Sequence, residues 1–382
     1  MNNIIRGNDL MKSILNYIKK EMVLCISLLL ALVSMIFVPL DNKYISYIDF
    51  HTLTILFSLM VVMAGLRSLG IFSLIGSWML EKANNMRSLS IVFVLLCFGF
   101  SMVITNDVAL ITFVPFAIDV LVMAGLEKYL IRIIVLETIA SNLGSMLTPI
   151  GNPQNLYLFS LSGMSLVNFI SLMLPYTLVS LIGLLVACVI LVDRKAVAFN
   201  VQSHRVLSET EKRKAVVYFL LFLFALTSVT RIVSVYIVGA VILSAVFLMD
   251  RRMLLKPDYA LLLTFIFLFV FIGNMNRIPD INLWLSSVIH GHELITSVFA
   301  SQIISNVPAA ILLSGFTDNI SALIIGTNLG GLGTIIASMA SLISYKYYGT
   351  TAGKQNAVYL GVFTLLNIVF LIGLLLLYYL IN

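Results

Sequence analysis

Apolar residues in this chain fall in long blocks of roughly membrane-crossing length, separated by short charged or Gly/Pro-rich punctuation. Nine blocks predict spans, at 22–40, 51–69, 129–160, 166–192, 215–231, 234–249, 258–273, 319–345 and 355–380. Two further apolar pieces, 88–124 and 283–316, are interrupted near their middles by Thr105-Asn106-Asp107 and by Ser305-Asn306-Val307-Pro308. Each predicts a re-entrant hairpin, since two full spans would need about 20 apolar residues on either side of the interruption. Segment 70–82, ending in Trp78 and Glu81, predicts an interfacial helix, and Trp284 sits at a comparable boundary. Lys19 and Lys20 precede the first block as in a signal peptide, but the block is of spanning length and no small-residue cleavage site follows.

Two spans are broken. Ser141–Asn155 reads S-N-L-G-S-M-L-T-P-I-G-N-P-Q-N, with Gly144, Gly151, Pro149, Pro153, Asn142, Asn152 and Asn155 inside an apolar stretch. Proline cannot continue a helix, and an opened backbone in hydrocarbon costs several kcal/mol per unsatisfied group unless it lines a protein-enclosed cavity. A simple proline kink is the plain alternative. Thr327–Ser341, T-N-L-G-G-L-G-T-I-I-A-S-M-A-S, aligns with it without gaps. Asn142 then faces Asn328, Gly144 faces Gly330, Thr148 faces Thr334 and Ile150 faces Ile336. Paired interruptions at corresponding places in two halves point to a transporter binding site.

With the N-terminus inside, every one of the 23 lysines and arginines except Lys43, Arg231 and Arg277 falls on the inner side, as the positive-inside rule requires. The split holds with both hairpins re-entrant or with both as double spans, and length selects the former. The expected organisation is an all-α polytopic membrane protein with an inverted repeat, about nine full spans and two hairpins. An N-terminal repeat covers 1–192 with an inward-opening hairpin, a cytoplasmic loop and connector helix cover 193–233, and an inverted C-terminal repeat covers 234–382 with an outward-opening hairpin. The expected location is the plasma membrane, with the N-terminus cytoplasmic and the C-terminus outside.

Composition agrees. The chain of 382 residues is 60% hydrophobic and 10% charged, against roughly 25% charged in soluble domains. The net charge of +6 sits in loops and serves orientation, so no nucleic-acid partner is expected. Cys25, Cys97 and Cys188 lie inside apolar runs as packing residues. His51, His204, His290 and His292 fall in loops or at boundaries, no metal site is expected, and no Gly-rich phosphate loop is present.

Helix ends at the breaks aim their dipoles into the cavity, N-termini toward anions and freed carbonyls toward cations. Asn106, Asn142, Asn306 and Asn328 offer amides, and Thr105, Ser141, Ser145, Thr148, Ser305, Thr327 and Thr334 offer hydroxyls. Such a neutral oxygen shell suits a monovalent cation together with a small oxyanion. Asp107, Asp119 and Glu137 lie within apolar runs, where a carboxylate is costly. Asp107 is the first candidate for a proton or cation site. Glu137 shares a helix face with Ser141 and is either a proton relay or a partner for Arg132. Asp119 is expected to be wetted.

At T-N-D-V-A-L-I-T-F-V-P, G-S-M-L-T-P-I-G-N-P-Q-N, S-N-V-P-A-A and G-T-N-L-G-G the chain resembles the citrate-transporter-like and arsenite-permease group, within the superfamily that includes sodium-coupled dicarboxylate transporters. The resemblance implies two hairpins whose tips meet two broken helices, a dimeric scaffold and elevator-like alternating access. It implies cation and substrate ligands at Thr105, Asn106, Ser305 and Asn306. Gly144, Ser145 and Thr148, with Gly330, Gly331 and Thr334, would complete the two sites. Where dicarboxylate relatives carry Thr after each tip asparagine, this chain has Asp107 and Val307, and a carboxylate there repels a multiply charged substrate.

The expected activity is ion-coupled secondary transport of a small anion, coupled to Na+ or H+. Arsenite efflux or sodium/proton antiport on the same fold is the alternative, and a channel or membrane-embedded enzyme is the reading from another class. The sequence carries no enzymatic residue set; the expected partners are an anionic or neutral oxyanion solute and the lipid bilayer, with a second copy of the chain as the resemblance implies.

Overall fold

The computed structural model describes residues 21–80, 83–196 and 207–381. Predictions resting on Arg6, Lys12, Lys19, Lys20, Glu81, Lys82, His204 and Arg205 therefore lie outside the described residues. Among those described the chain is helical, and the one β contact is an isolated antiparallel bridge between Asn85 and Ala196.

The first half comprises α1 (Met22–Phe37), α2 (Lys43–Tyr47), α3 (Phe50–Ser68), α4 (Ile71–Leu80), α5 (Met86–Ile104), α6 (Asn106–Met123), α7 (Leu130–Ser145), α8 (Pro153–Ser162) and α9 (Leu166–Leu191). The second comprises α10 (Glu209–Val229), α11 (Val235–Asp250), α12 (Tyr259–Met275), α13 (Pro279–Ile289), α14 (Glu293–Ile304), α15 (Asn306–Ser314), α16 (Ile320–Leu329), α17 (Met339–Tyr348) and α18 (Asn356–Ile381). Among the described residues five helices, α3, α5, α6, α9 and α18, are long and apolar enough to cross a membrane. The chain is a multi-pass membrane protein.

Local chemistry explains where the elements depart from the apolar blocks. α1 stops at Phe37, short of the expected 40, because Val38 precedes Pro39 and is held extended. α10 begins at Glu209, ahead of the expected 215, because Ser208 and Glu211 form a capping box: Ser208 Oγ accepts from Glu211 N at 3.3 Å and Glu211 Oε2 from Ser208 N at 2.9 Å. A second capping box, Asn85 with Ser88, starts α5.

The hairpin predictions need correction. α5 and α6 run 19 and 18 residues and meet at the single residue Thr105, so each arm reaches the length of a membrane crossing. Length therefore does not select a re-entrant hairpin over two spans in the first half. The capping box at Asn85 starts α5 two residues ahead of the expected 88, and α6 continues without a break through Pro115 to Met123. In the second half the piece 283–316 divides at Gly291, whose φ of 79° breaks the helix. α13 is a separate short helix, and the hairpin proper is α14 and α15, with arms of 12 and 9 residues.

Helices of the two halves pack reciprocally. α5 packs on α7 as α14 packs on α16, and α1 on α12 as α11 on α3. α6 lies against α17 as α15 lies against α8, and α7 against α17 as α16 against α8. Polar contacts gather at two groups of loops. Arg87 Nε donates to Val192 O, Arg132 Nη1 to Leu191 O, Tyr129 to Asp193, and Lys214 pairs with Asp250. Elsewhere Arg277 pairs with Asp41 and bonds Tyr47, and Arg231 donates to carbonyls of Phe159, Ser160 and Gly163.

Candidate substrate and ion site

Both expected breaks are present. α7 ends at Ser145, the chain opens through a 3-10 turn at Pro149–Gly151, and α8 restarts at Pro153 with Asn152 as its cap. Asn152 Oδ1 accepts from Asn155 N at 2.9 Å, and Pro153 stands at a first-turn position where a missing N–H costs nothing. α16 ends at Leu329, and α17 restarts at Met339.

The hairpin tips are alike in an unusual way. Thr105 has φ 76° and ψ 149°, and Ser305 has φ 73° and ψ 155°. Among the described residues, Arg231 is the one other non-glycine residue with positive φ. This backbone region belongs almost entirely to glycine, and other residues hold it at a cost of about 1–3 kcal/mol where surrounding structure imposes it. Each tip residue stands directly before an asparagine that opens the second arm.

Asparagines tie the parts together. Asn142 Oδ1 accepts from Asn106 Nδ2 at 3.3 Å and from Ser338 Oγ at 3.0 Å, while Asn142 Nδ2 reaches Ser341 Oγ at 3.4 Å. Asn328 Oδ1 accepts from Asn152 Nδ2 at 3.1 Å, and Asn328 Nδ2 donates to Asn155 Oδ1. In the gap-free alignment Asn142 corresponds to Asn328, Asn152 to Ser338 and Asn155 to Ser341. Each break thus holds the other through corresponding positions, as a self-complementary two-fold contact would. Asn142, Asn328, Asn152, Asn155, Ser338 and Ser341 are all buried, so each bond replaces water that is absent.

The threonines and glycines at the breaks serve the hairpins. Thr148 Oγ1 donates to Met102 O and Thr334 Oγ1 to Gln302 O, each carbonyl lying three residues before its tip residue. Their hydroxyl protons are thereby used, leaving Thr148 and Thr334 able to offer a ligand only an oxygen lone pair. Gly144 has no room for a side chain, since a Cβ there would lie 2.2 Å from Phe98 O and 2.5 Å from Ser101 Oγ. At Gly330 it would lie 2.7 Å from Ser301 Oγ. Ser145 Oγ donates to Asn142 O and accepts from Asn152 Nδ2, and Ser141 Oγ donates to Asn106 O.

The two tips differ in what remains open. Asn106 is held on its amide by Asn142, and its Oδ1 accepts from Asp107 N. The Asn306 main-chain N–H donates to Ala337 O at 2.9 Å, and its side chain receives one weak contact, from Ser305 Oγ at 3.4 Å. A cavity of about 280 Å³ reaches Ser305, Val307 and Pro308, with Glu21 and Lys346 also on its wall. Asp119 is exposed, as expected. The alternative pairing of Glu137 with Arg132 does not form: Arg132 turns to Leu191 O, and Glu137 is fully buried against Cys97.

Sequence reasoning left four participants out of the site: Asn152, Asn155, Ser338 and Ser341. The alignment that paired Asn142 with Asn328 carries the same spacing to all four, and was the signal available for them.

Comparison with known proteins agrees with a transporter architecture. Residues 14–322 match the model of the citrate transporter family. The inner membrane protein YbiR of Escherichia coli (strain K12) is 33% identical over 315 residues, covering 81% of this chain and 83% of its own. The uncharacterized transporter MJ0456 of Methanocaldococcus jannaschii is 33% identical over 327 residues, covering 85% and 88%. A shorter match, 31% identical over 137 residues, covering 35% of this chain and 27% of its own, is to the silicon efflux transporter LSI3 of Oryza sativa subsp. japonica. With two tips, two broken helices and a family match over most of its length, the chain belongs to the citrate transporter family.

Proposed function

We propose that this protein is an ion-coupled secondary transporter of a small anion, working by alternating access through an inverted repeat. The observation that carries the proposal is the reciprocal pairing of Asn142 with Ser338 and Ser341, and of Asn328 with Asn152 and Asn155. Two interrupted helices crossing at a pseudo-two-fold, each facing a strained tip, make the arrangement that holds a solute and its coupling ion near mid-membrane. The polar contacts also support the expected sidedness, since Arg87, Arg132 and Lys214 meet segments assigned to the inner side, and Arg277 and Arg231 meet segments assigned to the outer side. On this reading the plasma membrane holds the protein with its N-terminus cytoplasmic and its C-terminus outside, as a monomer or a homodimer.

In this proposal Thr105, Asn106, Asp107, Asn142 and Gly144 form one Na+ or H+ site, and Ser305, Asn306, Asn328 and Gly330 the other. The solute lies between Asn106, Ser145 and Thr148 on one side and Asn306 and Thr334 on the other. Glycine contributes a carbonyl here, and the bare Cα is what brings it close.

Efflux of a neutral oxyacid such as arsenite, or sodium/proton antiport, is favoured by Asp107 at the first tip and Val307 at the second. A carboxylate beside the solute repels a di- or trianion unless a cation or proton neutralises it. The rice relative named for silicon efflux supports the same alternative.

Solute counterflow and pH-gradient decay in proteoliposomes, with and without sodium, across citrate, succinate, sulfate and arsenite, decide between these. Sodium-dependent uptake of one anion establishes symport. Sodium-driven proton movement without anion uptake establishes antiport and refutes the anion reading.

A further inference from the structure

Glu137 lies outside both tips, eight residues before Ser145 on α7, and its side chain is fully buried. Oε1 stands 3.7 Å from Cys97 Sγ of α5, and Oε2 has no hydrogen-bond partner. Tyr359 of α18, itself fully buried, faces it from the other flank, with Tyr345 and Tyr348 of α17 packed against that ring. Among the described residues, Cys97 and Tyr359 are the titratable groups that face it. No ion pair or hydrogen bond joins it to a charged side chain of α6, α9, α16 or α17 among the described residues. Arg132, the basic residue nearest in sequence, is committed to Leu191 O.

A carboxylate this deep needs a cation, several donors or a proton. Among the described residues no cationic side chain pairs with it, and a single thiol is a weak donor. A neutral carboxyl packs in the seam as it stands. The seam is also where the first hairpin's long arm, α5, closes on the broken helix α7. Separation of the two would admit water to Glu137, and the carboxyl could then give its proton to that water and remain as a solvated carboxylate.

We propose that Glu137, with Cys97 as its lid, is a proton-binding site whose occupancy is tied to the seating of α5 on α7. This rests on the transporter reading above for its purpose, but not for its occupancy. It locates the proton of a proton-coupled cycle in the wall of the first half, one helical turn behind Ser141 and separate from Asp107.

Infrared difference spectroscopy of the full-length protein in lipid, recorded across a pH titration, tests occupancy directly. The native protein should show a protonated carboxyl C=O band at neutral pH. Glu137→Gln should remove it, Asp107→Asn should leave it, and Cys97→Ala should shift it by removing the thiol contact. Absence of the band, or its persistence in Glu137→Gln, overturns the proposal. Coupling is read in proteoliposomes holding a trapped pH indicator, with citrate, succinate, sulfate, arsenite and a sodium gradient applied in turn. Glu137→Gln should still carry out counterflow of whichever probe the native protein moves, with the accompanying proton movement lost. Equal proton movement in both proteins overturns the coupling. A native protein that moves none of these probes refutes the transport reading instead, while the band still decides whether Glu137 holds a proton.

Discussion

Asn328 Nδ2 donates to Asn155 Oδ1 across 173 residues of chain, joining the end of one broken helix to the restart of the other. The same amide also donates to Ile324 O at 2.7 Å, and its oxygen accepts from Asn152. Asn142, the corresponding residue, is held by two serine hydroxyls and by Asn106 at 3.0–3.4 Å. A hydroxyl that loses its partner can rotate to a carbonyl of its own helix, whereas the fixed Asn155 oxygen cannot. Asn328→Ala should therefore destabilise the protein by about 1–3 kcal/mol and more than Asn142→Ala does. Thermal unfolding in detergent reads the difference, and equal midpoints for the two variants would show that the halves are held alike.

Thr105 and Ser305 occupy a backbone region in which glycine carries no penalty. Thr105→Gly and Ser305→Gly should each relieve about 1 kcal/mol of strain relative to the corresponding alanine variants. The expected outcome is a higher unfolding midpoint for Gly than for Ala at both positions. A lower one at either tip would mean that the side chain, not the backbone, sets the tip's stability.

How far the sequence foretold this arrangement depended on residue type. Proline and glycine cannot hide in an apolar run, so the breaks after Ser145 and after Leu329 were plain, as was the asparagine at each tip. Ser338 and Ser341 were legible only through their alignment with Asn152 and Asn155, because a serine in a membrane helix usually bonds its own backbone and by itself gives no sign of a distant partner. Cys97 read as packing because its meeting with Glu137 depends on how α5 lies over α7, which no local pattern encodes. The first arm of the first hairpin was undercounted because the polar cap Asn85 starts its helix ahead of the apolar run.

Asp41 and Arg277, outside the spans, meet at 2.9 Å. Slight desolvation pushes the Asp41 carboxyl up, but the hydrogen bond and charge of Arg277, with the Lys43 backbone N–H, hold it below its ordinary 3.8. A carboxyl depressed in the folded state adds stability above its unfolded value, and that stability is lost as pH falls through the folded one. Asp41→Asn should thus lower the unfolding midpoint slightly at pH 7, with the difference from native vanishing in strong acid. Added salt should shrink it as well, because both partners are solvent-accessible. A difference that persists in strong acid would assign the effect to packing.

Gly144 and Gly330 correspond in the alignment, yet they are crowded by different things. A Cβ at Gly144 would strike the main-chain oxygen of Phe98 at 2.2 Å, an atom fixed within α5. At Gly330 the α14 atoms it would strike belong to the Ser301 side chain, at 2.7 Å for Oγ and 2.8 Å for Cβ, alongside Gly326 O at 2.8 Å. Gly144→Ala must therefore push α5 away from α7, at a cost of about 1–3 kcal/mol, and Ser101→Ala should not rescue it. Gly330→Ala should cost less, and Ser301→Ala should recover part of that loss. Unfolding midpoints of the four single and two double variants read this directly. Rescue of Gly144→Ala by Ser101→Ala would show that the serine, and not the Phe98 carbonyl, sets the distance between hairpin and broken helix.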